Sequence, residues 1–295
     1  MKYFIYLKVI VSPLFFVFFC LCHIHVFAVN HVVLIGVDGL NVRSLLKAHT
    51  PTIQFLMNEG SSTFNGRSTR PSSSAANWAS MLMGASVAEH GVTSNDWTRE
   101  DYILPPMTTG VEDNFPTIFS LLYSQRPNLI SGVVYTWKGI SELYEHSAVH
   151  FQKWTDDDEK TVEHSVSLIK QSKPNFLFMH IDAPDATGHG YGHDSAEYLQ
   201  TVERVDGFIK RILEAIKTAG IENDTTVILS TDHGGIGRGH GGDLPEEMNI
   251  PVIIKGPHIK KSYKIEQPVY VFDIAATIAR IFDLNPPKAW IGKAI

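Results

Sequence analysis

Short apolar runs alternate with amphipathic segments along most of the chain. Runs rich in β-branched residues predict buried strands, and helical spacing between proline or glycine boundaries predicts helices. The expected strands are His31–Asp38, Asn128–Thr136, Asn175–Asp182, Thr225–Asp232 and Pro251–Gly256. The expected helices are Pro51–Gly60, Ala75–Gly84, Pro116–Gln125, a segment opening with the acids Asp156–Asp158, a long helix around residue 205, and Val271–Phe282.

The long helix carries the clearest periodicity. Its apolar residues recur on one face, which predicts packing into a core: Tyr198, Val202, Val205, Ile209, Ile212 and Ile216. Strands that alternate with helices predict an α/β fold, a three-layer sandwich whose central, mostly parallel sheet is flanked by helices. Residues 91–115 do not fit the alternation, and we expect them to form a loop or lid near a site.

The first 28 residues differ from the rest. Lys2 and Lys8 precede a long apolar run that ends at Ala28, a pattern typical of a cleaved secretory signal peptide. An uncleaved membrane anchor is the alternative. Residues 29–295 are then expected to form a single domain. No later apolar run is long enough to cross a bilayer, so we expect a secreted, extracellular or periplasmic protein without a transmembrane span in its mature form.

Removal of this segment changes the composition. The 295-residue chain has 25 basic and 31 acidic residues and two cysteines, Cys20 and Cys22. Because residues 1–28 contain both cysteines and two of the lysines, the mature chain has no cysteine and a net charge of about −8. Disulfides, zinc–thiolate sites and cysteine nucleophiles are therefore excluded from the mature chain. The acidic balance argues against binding of nucleic-acid duplexes.

Three predicted strands end in an aspartate or lead directly to one, and histidines follow two of them. The candidate residues are Asp38, Asp185, His189, Asp232, His233 and His240. Ligands of open α/β sheets bind beyond the carboxyl ends of the strands. Carboxylate oxygens and imidazole nitrogens bind divalent cations such as zinc, and six of them suit two ions better than one tetrahedral ion. The glycines of Ser230–Gly242 would let both histidines of that segment reach one small volume.

A nucleophile is expected among three serines, Ser72, Ser73 and Ser74, which directly precede a predicted helix. The partial positive charge of a helix N-terminus stabilises an alkoxide, and a bound dication lowers the pKa of a coordinated hydroxyl further. The alternative is that one serine only caps the helix. These arguments do not choose among the three serines.

Four segments resemble the motifs of the alkaline phosphatase superfamily, in particular its type I phosphodiesterase and nucleotide pyrophosphatase branch. They are GVDGL, SSSAANWASMLMGASVAEHG, APDATGHGYG and STDHGGIGRGHGG. The resemblance covers essentially the whole mature chain. It implies an alkaline phosphatase-like catalytic domain that hydrolyses phosphoric esters. It also implies that Ser74 is the nucleophile, because Asn77 and the later Ala88–Gly91 segment fix the register.

The same resemblance implies the ligand sets of two divalent ions, expected to be zinc. One set is Asp38, Ser74, Asp232 and His233, and the other is Asp185, His189 and His240. The resemblance further implies that Asn77 donates a hydrogen bond to a non-bridging phosphoryl oxygen. The ions would clamp the attacking and leaving oxygens while Ser74 forms a phospho-serine that water hydrolyses. The expected substrate is a small phosphate ester or a nucleotide-like molecule.

The chain also departs from the family pattern. Ser74-Ala75-Ala76-Asn77 stands where the family usually has Thr-Phe-Pro-Asn, which leaves the nucleotide preference open. A phosphomonoesterase of the same superfamily and an inactive surface protein that retains the fold are the alternatives. The segment after the serines lacks the Pro and Arg of a sulfatase, which argues against that class. His90 is expected to have a structural role in its loop, His180 to point into packing, and Asp182 to lie beside the ligands.

Overall fold

The computed structural model describes residues 31–295, so the predicted signal peptide and both cysteines lie outside the described residues. The strands are β1 (His31–Val37), β2 (Ser61–Arg67), β3 (Ser131–Tyr135), β4 (Phe151–Trp154), β5 (Phe176–Ile181), β6 (Thr225–Ser230), β7 (Asn249–Lys255) and β8 (Tyr263–Lys264). They form a sheet in the order β4-β3-β5-β1-β6-β7-β2-β8. The run from β4 to β6 is parallel, whereas β7 pairs antiparallel with both β6 and β2.

Helices connect most of these strands. They are α1 (Val42–Leu45), α2 (Pro51–Asn58), α3 (Ser74–Met83), α4 (Val87–His90), α5 (Ile118–Gln125), α6 (Asp158–Ser172), α7 (Asp185–Tyr191), α8 (Ala196–Thr218), α9 (Pro245–Met248) and α10 (Asp273–Ile281). The Asp157 side chain accepts hydrogen bonds from the backbone amides of Glu159 and Lys160, so the middle residue of the three acids caps α6. The apolar stripe of α8 is buried as predicted.

Alternate residues of the central strands point to two separate cores. Val32 and Leu34 of β1 pack in one core with residues of α3, α5 and α10. Val33 and Ile35 pack in the other core with residues of α2, α6 and α8. Because successive side chains of a strand face opposite sides of a sheet, a strand covered by helices on both sides is apolar throughout. The predicted three-layer α/β sandwich is confirmed.

The predicted elements are present, but the sequence pattern missed several others. β2 has the sequence SSTFNGR, which is too polar for a buried-strand prediction, and every residue of β4 is exposed. Residues 91–115 contain little regular structure, as expected, and a short 3₁₀ turn at Val111–Asp113 lies near their end. Within residues 31–295, no helix combines the length and apolar character that are needed to cross a membrane.

Candidate metal centre

The three aspartates meet because their strands are neighbours at the centre of the sheet. Asp38 directly follows β1, Asp232 lies two residues after β6, and Asp185 opens α7 after β5. The Gly39 amide donates a hydrogen bond to Asp232 Oδ1 at 3.1 Å. Gly39 has a φ of +63°, and a Cβ atom there would lie 2.5 Å from Asp185 Oδ1. Only glycine therefore allows the carboxylates to approach this turn so closely.

A first cluster surrounds the proposed nucleophile. Ser74 Oγ lies 3.2 Å from His233 Nε2. The same nitrogen lies 3.1 Å from Asp232 Oδ2 and 3.6 Å from Asp38 Oδ1. Both of these carboxylate oxygens are buried without a hydrogen-bond partner. Buried oxygens normally accept hydrogen bonds, so two that accept none and face one nitrogen indicate a place for a cation.

A second cluster lies beside the first. The Asp185, His189 and His240 ligand atoms lie within 4.8 Å of one another. His189 Nε2 is 3.1 Å from Asp185 Oδ2 and 3.2 Å from His240 Nε2. The His240 ring stacks on the His233 ring with a centroid separation of 3.7 Å, which joins the two clusters. Ser74 and the six predicted ligands therefore line one small volume.

The backbone sets the orientation of all three candidate histidine ligands. Nδ1 of His233, His189 and His240 contacts the carbonyl oxygens of Gly234, Arg238 and Ser72 at 2.7, 2.9 and 2.9 Å, respectively. Because a carbonyl only accepts, the Nδ1 atom of each ring carries a proton, which leaves Nε2 as the ring nitrogen directed into the site. Metal-binding histidines are typically oriented in this way. The donor set thus fits divalent cations that accept both nitrogen and oxygen ligands, such as zinc.

Burial and mutual repulsion perturb two of the carboxylates. Desolvation, with the nearby charge of Asp232, raises the pKa of Asp38 to about 6. Desolvation, with the charge of Asp185, raises the pKa of Asp232 to about 7. Both carboxylates therefore take up protons closer to neutral pH than an ordinary aspartate does, so a bound cation would compete with protons for them.

Asp185 behaves in the opposite way. Burial acts to raise its pKa, but hydrogen bonds from His189 and His193 outweigh that effect and lower the pKa below the usual range. The hydrogen bond with Asp185 raises the pKa of His189 to about 9. Without a cation, a proton on His189 therefore balances the charge of Asp185.

The geometry of Asn77 differs from its predicted role. Its side chain is fully buried, and Oδ1 accepts hydrogen bonds from the Thr69 amide and hydroxyl. Its Nδ2 donates to the Pro71 and Ser73 carbonyls, each at 3.0 Å. The Asn77 side-chain amide is thus hydrogen-bonded to the loop before Ser74 through both its oxygen and its nitrogen. This arrangement does not agree with the predicted contact between Asn77 and a phosphoryl oxygen. The structural role expected of His90 in its loop agrees with its buried hydrogen bonds to Ser80 and Val92.

Several residues near the centre were not predicted as part of it. His180 does not merely pack, because its Nε2 lies 3.0 Å from Asp38 Oδ2 and it forms a third carboxylate–histidine cluster with Asp38 and Asp182. His193 contacts Asp185 Oδ1 at 3.2 Å. Asn95 Oδ1 accepts the Ala75 amide hydrogen at 2.8 Å, beside the nucleophile. In the sequence, only the positions of His180, His193 and Asp182 close to the motifs indicated that these residues lie near the centre.

Sequence comparisons point to one family. A family model described as type I phosphodiesterase / nucleotide pyrophosphatase matches residues 32–237. Venom phosphodiesterase 2 of Crotalus adamanteus is 26% identical over 145 residues, 49% of this chain and 15% of that protein. The mouse ectonucleotide pyrophosphatase/phosphodiesterase family member 1 is 24% identical over 220 residues, 68% of this chain and 23% of that protein. The chain thus spans less than a quarter of the length of these curated relatives.

Structural comparisons agree on the fold. Murine ectonucleotide pyrophosphatase / phosphodiesterase 5 has a TM-score of 0.72 at 16% identity, covering 87% of this chain and 96% of that chain. A putative sulfatase from Bacteroides thetaiotaomicron has a TM-score of 0.71 at 16% identity, covering 90% and 74% of the two chains. At these identities the likeness shows the fold alone. The family model, which matches more than half of the chain, shows that this protein belongs to the type I phosphodiesterase / nucleotide pyrophosphatase family of the alkaline phosphatase superfamily.

Proposed function

We propose that this protein is a secreted, metal-dependent hydrolase of phosphoric diesters or pyrophosphates that acts through a phospho-serine on Ser74. The observation that carries the proposal is the convergence of three aspartates and three backbone-oriented histidines beside the Ser74 hydroxyl. Membership of a phosphodiesterase and pyrophosphatase family supports the reaction class.

Two divalent cations, expected to be zinc, would be held by the two clusters. Asp38, Ser74, Asp232 and His233 would hold one, and Asp185, His189 and His240 the other. When bound, such cations supply Lewis-acid stabilisation of the negative charge that develops on oxygen during phosphoryl transfer. The two unpartnered buried carboxylate oxygens, Asp38 Oδ1 and Asp232 Oδ2, support this assignment.

The position of Ser74 at the first residue of α3, whose N-terminus favours negative charge, supports the assignment of Ser74 as the nucleophile. Its Oγ would lose its proton and form a bond to phosphorus while the bond from phosphorus to the leaving oxygen breaks, and the leaving oxygen would take up a proton. Water would then hydrolyse the phospho-serine, which regenerates the hydroxyl and releases the phosphorylated product. The Asn95 side-chain oxygen accepts the Ala75 amide hydrogen beside Ser74, and its amino group would be the donor to a phosphoryl oxygen.

The charges around the centre favour diesters over monoesters. Among residues 31–295, the side chains within ion-pair distance of Asp38, Asp185 and Asp232 are all histidines. A monoester carries an additional negative charge, which favours a site with a further lysine or arginine. An inactive form of murine ectonucleotide pyrophosphatase / phosphodiesterase 5 is known in complex with AMP, so nucleotide diesters are the first natural substrates to test.

The proposal is tested by metal analysis and by hydrolysis of bis-p-nitrophenyl phosphate and p-nitrophenyl phosphate, with and without a chelator. We expect two metal ions per chain, preference for the diester and loss of activity on chelation. Preference for the monoester would favour the phosphomonoesterase alternative. A protein that binds metal but hydrolyses neither ester would favour the alternative of an inactive surface protein that retains the fold.

Replacement of the nucleophile gives a sharper test. Ser74→Ala should lower kcat by at least about 10³-fold while most of the metal is retained, because the other ligands remain. Ser73→Ala is the matched control, because the Ser73 hydroxyl is buried beside the site without a hydrogen-bond partner. Activity of Ser74→Ala equal to that of Ser73→Ala would remove Ser74 from the mechanism.

Secretion is proposed from residues 1–28 alone. If they form a cleaved signal peptide, intact mass measurement of the exported protein should give a chain that starts at Val29. A mass that includes the apolar segment would indicate the membrane-anchor alternative.

A further inference from the structure

We propose that Trp78 and His180 form a two-donor clamp on Asp38, which orients this ligand and ties it to the helix of the nucleophile. The inference rests on the proposed metal centre. Trp78 Nε1 donates a hydrogen bond to Asp38 Oδ2 at 2.9 Å, and His180 Nε2 contacts the same oxygen at 3.0 Å. The other oxygen, Oδ1, has no hydrogen-bond partner and faces His233 Nε2. The clamp therefore gives the two Asp38 oxygens different roles: Oδ2 is held by hydrogen bonds, and Oδ1 is left to bind a cation.

Packing prevents the indole from leaving this position. Trp78 is fully buried, and its ring meets the His180 ring edge-on at a centroid distance of 5.0 Å and lies 5.7 Å from the Phe178 ring. A Cβ atom on Gly36 would lie 2.6 Å from the indole, so this glycine makes room for it. A side chain packed so tightly holds one rotamer, which fixes the direction of its N–H group.

The environment of His180 indicates that its role is the hydrogen bond from Nε2 to Asp38. The side chain is completely buried, and its Nδ1 has no hydrogen-bond partner. A buried nitrogen without a partner destabilises the fold, and an apolar side chain would avoid that penalty. The contact of Nε2 with Asp38 supplies the reason for a histidine at this position.

The clamp also connects two parts of the proposed mechanism. Trp78 lies four residues after Ser74 in α3, so both project from the same side of one helix. The indole hydrogen bond thereby links the helix that carries the nucleophile to the carboxylate that follows β1. Trp78 and His180 are positioning residues, since both act through Asp38.

The test measures zinc affinity of the metal-free protein by competition with a chromophoric chelator. Trp78→Phe and His180→Phe should each lower the zinc affinity of one of the two sites by about tenfold or more. Loss of a residue that hydrogen-bonds to a metal ligand has an effect of this size in other metalloproteins. His180→Gln should restore most of the affinity, because a glutamine amide can donate from nearly the same place. Trp290→Phe is the matched control, since its indole donates to Pro116 O at 2.9 Å and packs against Gly84 at the far end of α3, without a contact to Asp38.

Thermal unfolding of the zinc-free variants separates loss of orientation from loss of structure. We expect Trp78→Phe and Trp290→Phe to lower the Tm to a similar extent, while only Trp78→Phe loses zinc affinity. Zinc affinities within twofold of wild type in both clamp variants, or an equal loss in Trp290→Phe, would overturn the clamp. If Trp78→Phe does not fold, equal affinities of His180→Phe and His180→Gln would overturn it.

Failure of the clamp and failure of the proposed function give different results. A wild-type protein that binds two zinc ions but hydrolyses no phosphoric ester would contradict the proposed function, and the affinity test would still decide the clamp. A wild-type protein that binds no zinc would overturn both.

Discussion

At the scale of single residues, the candidate centre depends on which atom of each side chain is already hydrogen-bonded within the protein. Nδ1 of His233 is bonded to a backbone carbonyl, so only Nε2 faces the site. Asp38 Oδ2 receives two hydrogen bonds, so only Oδ1 of that carboxylate faces the site. Such commitments remove most of the conformational freedom that metal binding would otherwise have to restrict.

The two asparagines near Ser74 should respond differently to substitution. Asn77→Ala removes a buried amide and leaves several backbone groups unpaired, so it should lower the free energy of unfolding by about 2–3 kcal/mol. Asn95→Ala should lower the free energy of unfolding by only about 1 kcal/mol, because it leaves the Ala75 amide alone unpaired, but should lower kcat by roughly 10²-fold through loss of a phosphoryl donor.

Urea unfolding and steady-state kinetics on the same two variants check this prediction. If Asn77→Ala folded with wild-type stability and lost kcat while Asn95→Ala kept full activity, the role given to Asn77 from the family resemblance would stand instead.

At the scale of elements, the short helix α4 is joined to the middle of α3 through His90. The His90 Nδ1 accepts the Val92 amide hydrogen at 3.0 Å, so the proton lies on Nε2, which donates to Ser80 Oγ at 2.9 Å. Burial lowers the pKa of His90 to about 3. A second proton would destroy the bond from Val92, and the site is too buried to solvate the charge.

This contact predicts how stability changes with pH. The folded-state pKa of His90 lies below the unfolded value of about 6.5, so its contribution is complete above pH 6.5 and falls as pH decreases toward 3. Between pH 7.5 and pH 5, zinc-free wild type should lose up to about 2 kcal/mol more unfolding free energy than His90→Asn. Urea unfolding at both pH values measures the difference, and parallel losses would contradict the prediction.

The sequence predicts the buried elements well and the partly exposed ones poorly. β1, β5 and β6 are apolar on both faces because helices cover both sides of the sheet, and such runs are easily recognised. β2 lies between β7 and β8 and carries polar residues, and β4 is an exposed edge strand. Pairing with neighbours, rather than burial of apolar side chains, makes these two segments strands.

At the scale of the whole molecule, the centre concentrates negative charge where the sheet is most buried. Asp38 and Asp232 are 2% and 0% exposed, and burial together with nearby carboxylates raises the pKa of both. Cations at this position would remove the electrostatic cost of bringing three strand ends together. Metal binding should therefore stabilise the whole fold.

Removal of metal should consequently lower the Tm. Zinc at 100 times its Kd adds about 2.7 kcal/mol per site to the unfolding free energy. Protons compete for Asp38 and Asp232, whose pKa values are about 6 and 7, so zinc affinity should fall as pH decreases from 8 to 5. Calorimetry with and without a chelator, and zinc competition at each pH, test this. A Tm unchanged by chelation would argue against metal at this centre.

The sequence by itself determined the three-layer α/β arrangement and indicated Ser74 and the six candidate ligands that meet at its centre. Apolar periodicity follows from burial, and the motif residues retain their order and spacing along the chain. Only the tertiary structure decided which atoms face inward, because hydrogen bonds between distant segments set those directions. The bonds from Trp78 and His180 to Asp38 join residues up to 142 positions apart, and no local pattern could reveal them. The tertiary structure likewise showed that Asn77 supports the loop, while Asn95 lies beside the nucleophile.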